Sequence, residues 1–308
     1  MNKETRILLT GSSGMIGTRV FEVLLREGYE VIGFDRKKNH WVPALNELTI
    51  QGDLLKKKDL QNVPTDIDLI IHLAANARVY NLVVEPDLAL ENIVTTHHVL
   101  EFAKTRDIPN IIFAGSREVY GNKGGARVRE KDVDLSRCES PYAASKMSGE
   151  ALVQAFSACY ELSFIIFRFS NVYGRYDTSD RFIPLLIRNM RKNKDVYIYG
   201  EEKVLDFTYI DDCVDGILRG VKRFSRAKNR TFNIASGKGV QLCALGDLLK
   251  IKLESTSRII AKSIRAGEVL RYVADISQAQ EVLGYQPRTS LEKGIDAAIQ
   301  WYTYERTS

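Results

Sequence analysis

A glycine-rich turn near the N-terminus constrains the fold of this chain most strongly. Residues 6–10 predict a short strand, which leads directly into the run TGSSGMIG at 10–17, and apolar residues then recur every fourth position through 16–28. Glycines allow a tight turn and close approach of the backbone to a ligand, and the start of a helix leaves N–H groups free for a phosphate. This placement predicts a dinucleotide site that includes Gly11, Gly14, Met15, Ile16 and Gly17.

Strand and helix patterns alternate along the first half of the chain. Strands are predicted at 6–10, 30–34, 68–73, 110–114 and 163–168, with helices between them such as 88–106. This alternation predicts a doubly wound parallel sheet with helices on both faces, the Rossmann arrangement. The later patterns, a helix at 182–192, a strand at 195–200 and helices near 245–253 and 291–304, predict a smaller α/β C-terminal substrate lobe. We expect a dinucleotide-binding domain at 1–170, with 203–236 returning to it, and a substrate lobe at 171–308.

Composition narrows the function classes further. A charge of +5, from 44 basic and 39 acidic residues among 308, is too small and too dispersed to indicate a nucleic-acid binder. The four cysteines form no C-x-x-C pair, so neither a disulfide framework nor a metal site is indicated. No apolar run reaches the ~18–20 residues that cross a membrane, and residues 1–4 precede the first strand without a signal-peptide pattern. We therefore expect a cytoplasmic protein with a small-molecule partner.

The end of the second predicted strand indicates which dinucleotide binds. Asp35 stands there, and its carboxylate can accept hydrogen bonds from both hydroxyls of the adenosine ribose. A 2′-phosphate would meet that negative charge, so NAD is predicted. Arg36 follows and can pair with a 2′-phosphate, which leaves NADP as the alternative. The structural alternative for Asp35 is an ordinary turn residue.

A tyrosine and a lysine four residues apart give the strongest catalytic signal. Tyr142 and Lys146 form Y-x-x-x-K, and on a helix both side chains lie on one face. A nearby cation lowers the pKa of the phenol and makes it a usable general base. Ser116 ends the fourth predicted strand at the same sheet edge as the glycine turn, where its hydroxyl can bind the substrate oxygen. A second Y-x-x-x-K, Tyr199 to Lys203, contains a glycine at a strand end and is interpreted as chance.

Over essentially its whole length the chain resembles the extended short-chain dehydrogenase/reductases, specifically the NAD-dependent nucleotide-sugar epimerase/dehydratase family, and most of all the UDP-sugar 4-epimerases. The resemblance rests on TGSSGMIG, Asp35, GDL at 52–54, HLAA at 72–75, SREVYG at 116–121, YAASK at 142–146, RFSNVYG at 168–174, DFTYIDD at 206–212 and RAGE at 265–268. It implies cofactor contacts by Asp53, Leu54, Leu73, Ala74, Ala75, Asn92 and Lys146. It also implies nucleotide-sugar contacts by Asn171, Tyr197, Tyr199, Arg265 and Glu268.

Three positions depart from the family pattern. Leu205 stands where many relatives have an arginine for the diphosphate, and Glu268 replaces the commoner aspartate. Similar 4,6-dehydratases carry an acidic pair after their Ser/Thr, whereas here Arg117 precedes Glu118 and cannot donate a proton at neutral pH. Glu118 is either a base at C5 or a structural carboxylate paired with a nearby cation, and the paired role is favoured.

The resemblance implies a UDP-sugar 4-epimerase that works through a 4-keto intermediate. Tyr272 favours UDP-glucose and UDP-galactose, because relatives restricted to plain hexoses have a bulky residue at that position. Arg181 lies where uronate-specific relatives bind the C6 carboxylate, so UDP-glucuronate stays open, as does UDP-N-acetylglucosamine; the alternative for Arg181 is a solvated loop residue. A 4,6-dehydratase, a decarboxylase and, remotely, a non-catalytic NAD-sensing protein also stay open. The family further implies a homodimer through the helices at 88–106 and 142–160.

Overall fold

The computed structural model describes residues 1, 4–124 and 127–304. Residues 2–3 and 125–126 of the predicted dinucleotide-binding domain and residues 305–308 of the predicted substrate lobe lie outside the described residues. The strands of the described residues are β1 (Arg6–Thr10), β2 (Glu30–Asp35), β3 (Thr49–Gln51), β4 (Leu69–His72), β5 (Asn110–Ser116), β6 (Ser163–Phe169), β7 (Asn171–Tyr173), β8 (Val196–Tyr199), β9 (Val204–Tyr209), β10 (Arg230–Ile234), β11 (Gly239–Gln241), β12 (Ile259–Lys262) and β13 (Arg271–Tyr272). The α-helices are α1 (Met15–Arg26), α2 (Val79–Val84), α3 (Asp87–Thr105), α4 (Pro141–Tyr160), α5 (Phe182–Met190), α6 (Ile210–Lys222), α7 (Phe224–Ala227), α8 (Leu242–Lys252), α9 (Ser277–Leu283) and α10 (Leu291–Tyr304).

Seven parallel strands form the main sheet, in the spatial order β10-β6-β5-β4-β1-β2-β3. Successive side chains of a strand point to opposite faces, and this alternation divides the core into two parts. Ile7 and Leu9 of β1 pack in one cluster with α1 and α6. Leu8 packs in another with α3 and α4 on the opposite face. The prediction of a doubly wound parallel sheet is confirmed.

A second, smaller group of strands lies after the main sheet in the chain. Strand β9 pairs with β7 and β13 in parallel and with β11 in antiparallel fashion, and β8 pairs with β12 in parallel. Helices α5 and α8 contact β8 and each other. This lobe brings the ends of β8 and β9 toward the carboxyl ends of the main-sheet strands, where residues of both regions line one cleft.

Two main-sheet strands were not among those predicted. Strand β3 has only three residues, none of them buried, at the edge of the sheet. Strand β10 forms the other edge and joins β6 after the chain has passed through β7, β8 and β9. A short edge strand shows too little alternation to be recognised, and a pairing between segments far apart in the chain leaves no local signal. The boundaries of the two predicted domains remain a proposal.

Candidate active site

The glycine turn has the geometry of a phosphate-binding loop. Gly11 has φ +72°, and a Cβ there would lie 2.7 Å from the backbone nitrogen of Ala74. A Cβ on Gly17 would lie 1.9 Å from the carbonyl oxygen of Gly11. Only glycine therefore allows β1, the loop after β4 and the first turn of α1 to approach this closely. Helix α1 begins after Gly14 without a side-chain cap, so its first N–H groups face the cleft available to a pyrophosphate.

A carboxylate stands at the end of β2, beside the glycine turn. Asp35 Oδ2 accepts a hydrogen bond from the backbone N–H of Ser13 at 3.0 Å, and Oδ1 accepts one from that of Lys37 at 2.9 Å. These bonds fix the carboxylate at the cleft, where its remaining lone pairs are available to a ribose. The predicted neighbours Arg36, Asp53 and Leu54 line the same end of the cleft.

The loop after β4 forms the opposite wall of the cofactor region. Leu73, Ala74 and Ala75 line the cleft directly. Asn92 of α3 is buried, accepts a hydrogen bond from the backbone N–H of Asn76 at 2.7 Å and donates to its carbonyl at 3.0 Å. Asn92 therefore holds this loop, besides lining the cleft itself.

Helix α4 and strand β5 bring the three predicted catalytic side chains together. Ser140 caps α4 by accepting a hydrogen bond from Ala143, which starts the helix one residue before Tyr142. Lys146 Nζ donates to the carbonyl of Ala114 on β5 at 2.7 Å and lies 6.0 Å from the Tyr142 ring centroid. Ser116 ends β5, and all three side chains line the cleft.

The pKa of the Tyr142 phenol is raised in this cluster, which corrects the expectation that the neighbouring cation lowers it. Burial raises the pKa of Tyr142, while a hydrogen bond with the Ser116 side chain and the charge of Arg181 oppose that rise. Burial lowers the pKa of Lys146 to about 8, and the Glu150 carboxylate opposes this. A buried phenol beside a hydroxyl and an ammonium group can accept and return a proton at a substrate oxygen.

A buried ion pair lies directly after Ser116. Arg117 Nη2 is 2.7 Å from Glu118 Oε1, and both side chains line the cleft. Burial raises the pKa of Glu118, and the adjacent Arg117 guanidinium opposes this. The predicted pairing of Glu118 with a nearby cation is thus confirmed as a contact.

The predicted sugar-nucleotide residues line the other end of the cleft. The Arg265 guanidinium stacks on the Tyr199 ring at 3.6 Å from its centroid. Asn171 Nδ2 donates to the Asp206 carbonyl at 2.9 Å, and Arg181 Nη2 donates to the Ala77 carbonyl at 3.3 Å. These residues line the cleft together with Tyr197 and Glu268. The whole cleft encloses about 860 Å³, large enough for two nucleotide-sized ligands.

A buried cation of this cleft, Lys203, is not among the predicted site residues. Lys203 is buried, pairs with Glu268 Oε2 and lines the cleft. Its segment is not helical, since Tyr199 ends β8 and Gly200 has φ +77°, which confirms that the second Y-x-x-x-K does not lie on a helix. Lys203 stands two residues before Leu205, the position where many relatives have an arginine. Side chains two positions apart on an extended chain point to the same face, so this spacing could have indicated that Lys203 lies on the same side as Leu205.

Tyr272 does not reach the cleft. It is only 1% exposed, stacks on Tyr120 at a centroid distance of 6.0 Å and lies beneath the Arg117 guanidinium, 5.6 Å away. The expectation that Tyr272 contacts the sugar is corrected accordingly: β13 places its ring behind the cleft wall.

The described part of the chain lacks the features of a metal site or a membrane span. No group of His, Cys, Asp or Glu side chains there could hold a metal ion, and no helix there is both long and apolar enough to cross a bilayer. All four cysteines are free thiols.

Together the parallel sheet, the glycine turn and the Ser–Tyr–Lys cluster define a dinucleotide-dependent enzyme of the short-chain dehydrogenase type. Residues 7–235 match the model of the NAD dependent epimerase/dehydratase family, and the chain belongs to that family. This membership confirms the family and the NAD dependence predicted from the sequence, and the relatives that the chain resembles include UDP-sugar 4-epimerases.

Three relatives illustrate this placement. A putative UDP-glucose 4-epimerase of Methanocaldococcus jannaschii is 32% identical over 96% of this chain and 97% of its own. The UDP-glucose 4-epimerase of Thermotoga maritima, solved with UDP-glucose, has a TM-score of 0.90 at 28% identity, covering 98% of this chain and 100% of its own. The UDP-glucuronic acid 4-epimerase of Bacillus cereus, solved with UDP-glucuronic acid and NAD, has a TM-score of 0.87 at 28% identity, with the same coverage.

Proposed function

We propose that this chain interconverts the C4 epimers of a UDP-hexose, with UDP-glucose and UDP-galactose as the favoured pair. The observation that carries the proposal is the convergence of Ser116, Tyr142 and Lys146 on the cleft that also contains the glycine turn. The relatives that act on UDP-sugars support it.

In this reaction the Tyr142 phenolate takes the proton of the C4 hydroxyl and later returns it to the epimeric oxygen. Ser116 hydrogen-bonds the same oxygen, and the Lys146 ammonium stabilises the phenolate. NAD, when bound, supplies the hydride acceptor at C4 and gives the hydride back. The side chains of the cleft hold the 4-keto sugar while it turns, so that the hydride can return to the opposite face of C4.

The residues that would hold NAD lie around the glycine turn and the ends of β2 and β4. Gly11, Gly14, Met15, Ile16 and Gly17 leave room for the pyrophosphate at the start of α1, and Asp35 presents a carboxylate to the ribose. Asp53, Leu54, Leu73, Ala74, Ala75 and Asn92 line the remaining walls, with Arg36 at the ribose end. We assign the cofactor contacts to this set.

The nucleotide of the substrate is assigned to the second lobe. Arg265, stacked on Tyr199, presents a planar cation to the cleft, and buried Lys203 adds a second one. Two cations suit a diphosphate, and exposed Tyr197 offers a ring face to the base. Lys203, which pairs with Glu268, lies near Leu205, the position that supplies no charge here.

UDP-glucuronate is the second candidate substrate. Arg181 lines the cleft near enough to Tyr142 to influence its pKa, so its cation could meet a C6 carboxylate. The relative from Bacillus cereus was solved with UDP-glucuronic acid. It supports this candidate as strongly as the Thermotoga maritima relative, solved with UDP-glucose, supports the favoured pair. Because Tyr272 is buried behind Arg117, it gives no direct steric reason to exclude N-acetylhexosamines.

A panel of UDP-glucose, UDP-galactose, UDP-glucuronate and UDP-N-acetylglucosamine, assayed for inversion at C4 in deuterated water, tests the proposal. We expect inversion with C5 still protonated, because Glu118 is paired and Arg117 cannot act as the acid of a dehydratase. Deuterium at C5 or a 4-keto-6-deoxy product would instead assign a dehydratase. Inversion of no sugar in the panel would refute the epimerase proposal.

A further inference from the structure

The wall of the cleft beside Ser116 contains a buried ion pair with spare hydrogen-bonding capacity. Arg117 is 9% exposed and Glu118 is 5% exposed, and one contact joins Arg117 Nη2 to Glu118 Oε1 at 2.7 Å. The other two terminal atoms, Arg117 Nη1 and Glu118 Oε2, are buried without a hydrogen-bond partner among the described residues. Leaving a buried polar atom unpaired is unfavourable, and more so when it is charged, so this pair has the capacity to bind a ligand that supplies the missing partners.

The pair is held next to the proposed proton-transfer site. The backbone N–H of Glu118 donates to Ser116 Oγ at 3.2 Å. If Ser116 binds the C4 oxygen, as the proposed function requires, the side chains of Arg117 and Glu118 face a substituent beside C4. The candidate substrates carry the same hydroxyl at C3 and differ at C6, so only a C6 contact could discriminate between a hexose and a hexuronate.

The spare atoms have opposite hydrogen-bonding character. Arg117 Nη1 can only donate, whereas the ionised Glu118 Oε2 can only accept. A hydroxyl group satisfies both atoms, because it accepts one hydrogen bond and donates another. A carboxylate can accept from Arg117 Nη1, but it has no proton to donate to Glu118 Oε2 and would place its negative charge against that ionised carboxylate.

We propose that the Arg117–Glu118 pair binds the C6 hydroxyl of the sugar and makes the enzyme prefer a neutral hexose to the corresponding hexuronate. This inference rests on the proposed function and names the substrate class within it. Glu118 is then a specificity residue that touches the sugar, not a base at C5. Tyr272, stacked on Tyr120 beneath Arg117, is a positioning residue for the guanidinium.

Substrate analogues test the inference on the unaltered enzyme loaded with NAD. The ratio of kcat/KM for UDP-glucose to that for UDP-glucuronate should be at least about tenfold, the effect of one lost hydrogen bond. UDP-6-deoxyglucose should be slower than UDP-glucose by about tenfold to a hundredfold, because it leaves both charged atoms unpaired. UDP-3-deoxyglucose serves as the matched analogue. A larger loss with the 3-deoxy than with the 6-deoxy sugar would overturn the assignment.

Glu118→Gln tests the source of the discrimination. The amide can still accept a hydrogen bond but carries no charge, so the glucose-to-glucuronate ratio should fall about tenfold. Glu139→Gln is the matched control. It removes the same charge close to Glu118, but Glu139 is exposed and does not line the cleft. An unchanged ratio in Glu118→Gln, with NAD bound normally, would contradict the inference.

Calorimetric binding separates this inference from the proposed reaction. If no sugar were inverted at C4, the proposed function would fail, whereas dissociation constants of UDP-glucose and UDP-glucuronate would still report on the pair. Tighter binding of UDP-glucose that Glu118→Gln reduces would support the pair as a hydroxyl site. Equal or tighter binding of UDP-glucuronate by the unaltered enzyme would refute it.

Discussion

The Tyr142 phenol lies 7% exposed at the start of α4, where the Ser116 side chain opposes the burial-induced rise of its pKa. Tyr142→Phe removes the hydroxyl but keeps the ring that packs against Leu82 and Ala89. We expect a loss of about a thousandfold in turnover with NAD still bound, the usual scale of general acid–base catalysis. Steady-state kinetics check this, with Tyr160→Phe at the exposed end of the same helix as control. One-tenth of the original turnover would contradict the assignment.

Lys146 also determines a pH dependence of folding stability. Burial lowers its pKa from 10.5 to about 8, so between these values the unfolded chain binds more protons than the folded one. The contribution of this group to stability therefore rises with pH across that window and is unfavourable below it. In Lys146→Met the rise should disappear. Denaturant unfolding at pH 7 and pH 10, compared between the two proteins, measures the difference, and parallel pH dependences would contradict it.

Asp35 carries the predicted choice of cofactor. Its carboxylate is fixed by Ser13 and Lys37 at the ribose end of the cleft. Asp35→Ala should weaken NAD binding by about tenfold to a hundredfold, since hydrogen bonds to a charged group are lost. The same change should improve NADP binding relative to NAD, because the repulsion of a 2′-phosphate disappears. Titration calorimetry with both cofactors checks this. Equal affinities in the unaltered protein would show that Arg36 decides the choice.

At the scale of elements, an aromatic cluster connects α10 to the loops around the cleft. Trp301 of α10 lies 5.5 Å from Trp41, after β2, and 5.9 Å from Tyr176, after β7, measured between ring centroids. Tyr176 has φ +68°, and its hydroxyl donates to Glu22 Oε1 of α1 at 3.1 Å. Trp41 and Tyr176 both line the cleft, so the packing of one C-terminal helix supports the walls of the cofactor region.

Removing the central ring of this cluster should loosen those walls. Because Trp301 is partly buried, Trp301→Ala should lower the free energy of unfolding by ~2 kcal/mol, below the range for fully buried rings. It should also speed the exchange of bound NAD. Trp301→Phe keeps a ring and should retain most of both properties. Chemical unfolding and a cofactor-exchange assay measure the two effects. Wild-type exchange in the alanine variant would show that the cluster does not support the cleft.

At the scale of the molecule, we predict a homodimer through α3 and α4. These helices pack against each other, and α3 exposes Leu90 and Val94, one helical turn apart, while Tyr160 is exposed at the end of α4. Apolar side chains on adjacent helices favour a two-fold helical interface. Light scattering at micromolar concentration should give twice the chain mass of 34.9 kDa. Leu90→Asp combined with Val94→Asp should give the monomer mass, whereas a monomeric unaltered protein would refute the prediction.

Local patterns in the sequence determined the fold class and much of the cleft. The glycine turn, the carboxylate after β2 and Y-x-x-x-K each occupy a few consecutive residues whose spacing already implies a geometry. Five main-sheet strands could be placed because each is a short apolar run bounded by helical patterns or turns. These features depend on contacts within one element or between neighbours in the chain.

Only the tertiary structure decided which distant residues meet. Lys203 pairs with Glu268, and Tyr272 lies beneath Arg117 rather than in the cleft. A carboxylate and a cation 65 positions apart carry no periodic signal, and whether a side chain of a two-residue strand faces a ligand or the core depends on how that strand pairs. The sequence specifies those contacts only through the packing of the whole chain, in which burial and strand register are decided together.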